Sequence, residues 1–252
     1  MLLNRIIATL FLLFVALSCL ILFPIAVVIR LLTAGDPKLV ILHRFTAWWA
    51  LLYIRFMPAW NLVIQGTEHI LPGQHYIIVS NHQSMLDILA GFKLPLPFKW
   101  VAKAELFSIP ILGWNMWLNQ HIRIHRGKIS GIKEMLRSCD KALEKGCSVF
   151  IFPEGTRSPD GKMRDFNSGA FALAAKKGVP LLPVLIEGTA EALPKHSLNF
   201  HGRQTITLTV LPPITPDQIG GRKASELATD TRNLLLNQAN QSNHTQTHTV
   251  TR

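Results

Sequence analysis

From Ile6 to Ile29 the chain carries no charged side chain, and Arg5 and Arg30 bound the run. As a helix, 24 residues reach about 36 Å, enough to cross a hydrocarbon core of about 30 Å. Pro24 is the one interruption, and it predicts a kink or an early end. No small-x-small cleavage site follows before charges begin, so the run reads as an anchor and not as a cleaved signal peptide. The pattern then changes. Phe45, Trp48, Trp49, Leu52, Tyr53 and Phe56 recur at i, i+3, i+4, i+7, i+8 and i+11, which is a helical apolar stripe. Phe45 to Trp60 is short for a span and contains Arg55. Its tryptophans and tyrosine suit a membrane interface, although the same stripe would also serve a helix packed on the protein's own core.

Beyond Asn61 apolar runs and helical stripes alternate. Leu62 to Ile64, Tyr76 to Val79, Lys99 to Ala102, Val149 to Phe152, Leu181 to Ile186 and Ile206 to Leu211 read as strands. Helical pattern begins near Ser84. Ile129, Ile132, Leu136, Cys139 and Leu143 mark one face of a helix that Gly146 stops. Ala170 to Lys177 and Glu226 to Leu236 give two more helices. Strands interleaved with helices predict an α/β domain with a mixed sheet flanked by helices. The organisation read from this pattern is 1–60 as membrane-anchoring helices, 61–237 as the catalytic domain, and 238–252 as a polar, disordered tail.

Composition sharpens one choice. A net charge of +11 over 252 residues fits a nucleic-acid binder or a protein on an anionic membrane. Mean hydropathy of +0.25 and the apolar N-terminus favour the membrane, and the basic residues are spread, with no nucleic-acid-binding motif. Arg30, Lys38 and Arg44 outweigh Asp36 after the first run, which places the following domain on the cytosolic side. Cys19, Cys139 and Cys147 form no CxxC pair and no zinc spacing. They read as small buried side chains of a reduced domain.

Two short segments carry candidate chemistry. Asn81-His82-Gln83-Ser84-Met85-Leu86-Asp87 follows the strand ending at Ser80, and active sites gather at the carboxyl ends of such strands. Positions five apart lie about 140° apart on one straight helix. His82 and Asp87 therefore meet only if His82 stands outside the helix and Asp87 lies in its first turn. Ser84 as N-cap would put Asp87 at N3 and allow the pair. The same Ser84-x-x-Asp87 spacing is also a capping box, which would explain Asp87 without catalysis. The second segment, Phe152-Pro153-Glu154-Gly155-Thr156-Arg157-Ser158, closes an apolar strand. Gly155 lets backbone N–H groups approach an anion, Arg157 can fork onto a phosphate, and Glu154 could accept from a substrate hydroxyl. A strand-end turn with a surface Glu–Arg pair is the plain alternative. His121 and His125 would suit a metal only on a helix, and Ile122/Ile124 alternate as a strand, so no metal is expected.

Taken together, the two segments resemble the motifs of the glycerolipid acyltransferases, the family of 1-acylglycerol-3-phosphate acyltransferase. Lys103-Ala104-Glu105-Leu106, Pro110, Gly113 and Ile122-Arg123-Ile124-His125-Arg126 resemble its second block. His125 departs from it, where many relatives carry aspartate. The resemblance implies an N-terminal helix pair dipping into one leaflet of the inner membrane. It implies His82 as base and Asp87 as its orienting partner. Lys103, Arg126 and Arg157 are implied to bind the acceptor phosphate, with Glu154, Gly155 and Thr156 also binding substrate, although Arg123 points the same way as Arg126 on a strand. Val179 to Val184 is similar to a fourth block, expected near the acyl chain. The expected reaction joins a lysophospholipid acceptor to an acyl chain supplied as a thioester of CoA or acyl carrier protein, without a cofactor. A different lyso-lipid acceptor, a membrane-bound hydrolase and a catalytically idle membrane binder are the rivals. No Gly-x-Ser-x-Gly supports the hydrolase.

Overall fold

A computed structural model describes residues 2–158, 161–194 and 203–249. The N-terminal hairpin pairs α1 (Leu2–Leu32) with α2 (Val40–Arg55). There follow β1 (Trp60–Gln65), β2 (Ile77–Ser80), α3 (Leu86–Gly91) and β3 (Phe98–Lys103). A 3-10 turn (Ala104–Ser108), α4 (Leu112–Leu118), β4 (Ile122–Ile124), α5 (Ile129–Glu144) and β5 (Ser148–Ile151) come next. The chain continues through α6 (Gly169–Lys177), β6 (Leu181–Glu187), α7 (Thr189–Ala192), β7 (Gln204–Val210), α8 (Pro216–Ile219) and α9 (Ala224–Thr249).

The seven strands form one sheet in the order β1-β7-β6-β2-β5-β3-β4. From β6 to β4 all neighbours are parallel, whereas β7 runs antiparallel to β6. The carboxyl ends of β2, β3, β4, β5 and β6 therefore share one edge, which is where this topology collects functional groups. Every residue of β2 and β5 is buried, as expected of parallel strands covered on both faces. Alternation splits them between two cores. Ile78, Phe150, Leu182 and Val184 face α2 and α3, while Ile77, Val79, Val149 and Leu181 face α5, α6 and α9. Val179 to Val184, expected beside the acyl chain, is thus the interior strand β6 and its entry.

The hairpin is fixed to the domain by buried polar ties. Asp36 accepts from the backbone N–H groups of Lys38 (2.9 Å) and Val40 (2.6 Å), satisfying the start of α2. Lys99 of β3 donates to the Lys38 and Asn119 carbonyls at 3.2 and 2.9 Å. Burial lowers its pKa to about 8. Asn119 also donates to Thr46 of α2 at 3.0 Å. The predicted α2 stripe is only partly the buried face: Trp49 is buried, but Trp48 and Phe56 are exposed. Their places are taken by Leu42, Ala50 and Ile54.

Helix α1 passes through Pro24 without ending. It holds the one described stretch long and apolar enough to cross a membrane, Ile6–Leu32. Leu13, Leu17, Leu20 and Leu31 stand bare. The polar segment from Gln238 differs from expectation, because α9 runs through it to Thr249. Ala239 packs beside Leu185, Leu211 and Leu235, and that contact carries the helix past Leu236. Residues 250–252 lie outside the described part.

Candidate active site

His82 stands in the turn between β2 and α3, outside the helix, and Asp87 lies in its first turn. The two meet: His82 Nδ1 is 2.7 Å from Asp87 Oδ2. The same carboxylate oxygen accepts from the backbone N–H groups of Gln83 (2.6 Å) and Ser84 (2.8 Å). Capping and orienting are therefore one arrangement and not alternatives. Ser84 lies one position before the N-cap, Met85, yet still satisfies a first-turn N–H. Its hydroxyl donates to the Leu193 carbonyl at 2.7 Å and accepts from Leu86 N–H at 3.3 Å. The other Asp87 oxygen accepts from Thr189 Oγ1 at 2.5 Å. Asp87 is wholly buried with four donors around it. With the carboxylate as acceptor, Nδ1 is the donor of this pair and Nε2 is the ring nitrogen left for another partner. Nε2 has no hydrogen-bond partner among the described residues.

The second motif braces the first. Glu154 Oε1 accepts from His82 N–H at 2.8 Å, and Oε2 accepts from Arg164 N–H at 3.1 Å. Ser158 N–H donates to the His82 carbonyl at 2.9 Å. Both backbone groups of His82 are thus held by the Glu154–Ser158 turn. Glu154, expected to accept from a substrate hydroxyl, instead has both oxygens occupied by backbone N–H groups. Burial raises its pKa to about 7 against the lowering effect of those bonds. Gly155 adopts φ +73°, and its N–H closes the turn onto Phe152 C=O at 3.0 Å, so that group is not directed at an anion. The brace extends further: Arg232 of α9 donates to the Arg164 and Met163 carbonyls, both at 2.9 Å.

The ring plane of His82 is set by Phe152, stacked at 4.0 Å between centroids. Trp100 stacks on the far side of Phe152 at 5.5 Å. Trp100 then lines a partly open apolar cavity of about 410 Å³ between α1, α2, β1, α3, β3, the 3-10 turn and α4. Phe11, Trp49, Leu86 and Ile111 represent its walls, and Asn115, Thr46 and His121 its few polar points. Met85 and Leu86 connect it directly to the His82 turn.

The remaining predicted residues sit on the same sheet edge but are loosely held. Lys103 ends β3 and pairs with exposed Glu105 at 3.3 Å. Arg126 lies past the end of β4, exposed, in the turn made by Gly127. Thr156 and Arg157 are half-buried in the brace turn. Arg157 makes no ion pair among the described residues. Arg123 is otherwise engaged, with its guanidinium 4.4 Å from the Trp117 ring centroid. His121 is buried and accepts from Trp100 N–H at 3.2 Å, while His125 is exposed, so the two do not converge. No group of three candidate metal ligands occurs among the described residues. Thr189, which holds Asp87, lies outside both motifs, and Ser158, which closes the second, holds the His82 carbonyl. Thr189 follows Gly188 at the carboxyl end of β6, and that placement is the signal that would have marked it.

Comparison with known proteins agrees with this geometry. The acyltransferase family model matches residues 61–187. Over 160 residues the chain is 41% identical to a 1-acyl-sn-glycerol-3-phosphate acyltransferase of Chlamydomonas reinhardtii, covering 62% of this chain and 48% of that one. It is 34% identical over 188 residues to the protein of that name from Pseudomonas aeruginosa, covering 73% and 69%. The chain spans about half to two-thirds of the length of the curated relatives it matches. The crystal structure of the 1-acyl-sn-glycerophosphate acyltransferase PlsC from Thermotoga maritima shares the fold, with a TM-score of 0.81 at 24% identity, covering 95% of this chain and 96% of that one.

Proposed function

The chain belongs to the acyltransferase family, and we propose that it moves a fatty acyl chain from a thioester to the sn-2 hydroxyl of 1-acylglycerol-3-phosphate, giving phosphatidic acid. One observation carries the reading. A histidine oriented by a buried carboxylate stands in a turn whose next residues, Met85 and Leu86, line an apolar cavity. That cavity falls in the range of about 300–1,000 Å³ typical of small-ligand sites.

In the proposed reaction Nε2 of His82 takes the proton of the acceptor hydroxyl as its oxygen attacks the thioester carbonyl. The carbon–sulfur bond breaks, the thiolate leaves, and the imidazolium returns the proton to sulfur. Asp87 remains ionised and stabilises the imidazolium. Ser84 is not a nucleophile, because its hydroxyl is committed to Leu193 C=O. Lys103, Arg126 and Arg157 bind the acceptor phosphate as cations on one sheet edge, with Gly155 and Thr156 shaping the turn beside it. The donor is acyl-CoA or acyl carrier protein, and the scheme uses no cofactor. Helix α1 is covered on one flank from Ala8, at the cavity, to Ile29, beside Leu42. Contact along one flank supports a helix lying in one leaflet with the domain beside it. We place that leaflet on the cytosolic side of the inner membrane.

Thiol release from acyl-CoA, measured with the purified protein in vesicles with and without 1-acylglycerol-3-phosphate, tests this reading. Acceptor-dependent release with phosphatidic acid as product is expected. Acceptor-independent release would make the protein a hydrolase, and release only with another lyso-lipid would replace the acceptor.

A further inference from the structure

The segment between β3 and β4 has two unlike faces. Inward, Leu106, Ile111 and Met116 line the cavity. Outward, Ile109, Trp114 and Trp117 stand between 44% and 52% exposed. The two faces are held in register by a strained turn. Ile111 adopts φ 64°, ψ −55°, and Leu112 N–H donates to Pro110 C=O at 2.7 Å. This γ-turn is unfavourable for a β-branched residue and persists only when packing fixes it. Gly113 adds a second constraint, because a Cβ there would lie 2.1 Å from the Phe107 carbonyl oxygen.

An apolar outer face needs an occupant. Here it is continuous with the bare surface of α1. Trp114 packs on Phe23 with ring centroids 5.8 Å apart, and Leu118 packs beside Ala26 and Ile29. At its other edge Arg123 lies over Trp117 at 4.4 Å. Tryptophan beside arginine, joined to an apolar anchor helix, is the chemistry of the boundary between acyl chains and headgroups. The net charge of +11 favours an anionic surface. We infer that the 3-10 turn and α4 form a second bilayer contact, with Trp114 and Trp117 in the leaflet that holds α1 and Arg123 at headgroup level. The cavity wall and the membrane contact are then opposite faces of one short segment.

The test uses the full chain in vesicles of phosphatidylcholine brominated on its acyl chains, with a minor share of phosphatidylglycerol. Bromine quenches tryptophans that touch lipid. The chain has 6 tryptophans, of which Trp48, Trp114 and Trp117 are exposed. The W114F/W117F double variant should lose about two-thirds of the bromine-quenched emission, since it keeps one of the three exposed rings. W114F and W117F alone should each lose about half of that amount, and circular dichroism should match the wild type. Equal quenching in variant and wild type, or none in either, would overturn the inference. So would loss of an iodide-quenched component in place of the bromine-quenched one, because that would put Trp114 and Trp117 in water.

Discussion

The turn that carries His82 and the rim that carries Lys103, Arg126 and Arg157 lie on one sheet edge but are built differently. The turn is over-determined. His82 is fixed through its Nδ1, its N–H and its carbonyl, and by a stacked ring. Its partner Asp87 is buried with four donors. The rim is sparse: Lys103 has one exposed ion pair and Arg126 stands in an open turn. Each arrangement suits the role proposed for it. A proton must be taken in a defined geometry, so the base is positioned before substrate arrives. A headgroup phosphate arrives on a diffusing lipid and can be met by side chains that settle around it.

The largest consequence concerns the base. His82→Ala should lower turnover by about 10²–10⁴-fold, the usual worth of general base catalysis, while circular dichroism stays unchanged. Thr189 sharpens the contrast, because it touches Asp87 and is wholly buried. Thr189→Val keeps the shape but removes a hydrogen bond to a charged group, so kcat should fall about 10–100-fold. KM should hold, and Thr189→Ser should restore activity. A uniform loss in all Thr189 variants would make the residue structural only. On the rim, Arg157→Ala should raise KM for the acceptor by about tenfold with kcat changed little. A fall in kcat with KM unchanged would put Arg157 in the chemistry and erase the distinction.

The smallest effect is in stability against pH. Glu154 has its pKa raised to about 7, chiefly by burial. Between its unfolded value of 4.5 and about 7 the folded protein holds the extra proton, so stability at this site is greatest at low pH and declines as pH rises. Glu154→Gln cannot titrate. The melting-temperature gap between wild type and this variant should therefore move in favour of the variant as pH rises through about 7. A gap independent of pH would contradict the burial of an ionisable Glu154.

Much of this was legible in the chain. The strands β2, β3, β5 and β6 follow short apolar runs, and α5 forms where its stripe predicted, although Ile129 and Ile132 are exposed and Gly131, Met135, Cys139 and Leu143 are its buried side. The His82–Asp87 pair was legible because spacing and helix geometry permit one arrangement. Glu154 was not, since its partners His82 and Arg164 are backbone groups far from it in sequence, and only the fold brings them together. Helix α4 escaped reading because seven residues containing Gly113 offer little periodicity. The cavity was invisible because its walls come from elements far apart in sequence, from Ala8 of α1 to Leu193. The α9 extension was missed for a related reason: polar composition gave no hint that Ala239 docks on Leu235 and Leu211.

The central claim is that Asp87-held His82 removes the acceptor proton. Its most direct test compares phosphatidic acid formed from an acyl thioester and 1-acylglycerol-3-phosphate by full-chain wild type and by His82→Ala, both in vesicles and matched by circular dichroism. Product from the wild type and its near loss in the variant is the predicted result. Phosphatidic acid made by His82→Ala at a comparable rate would contradict it.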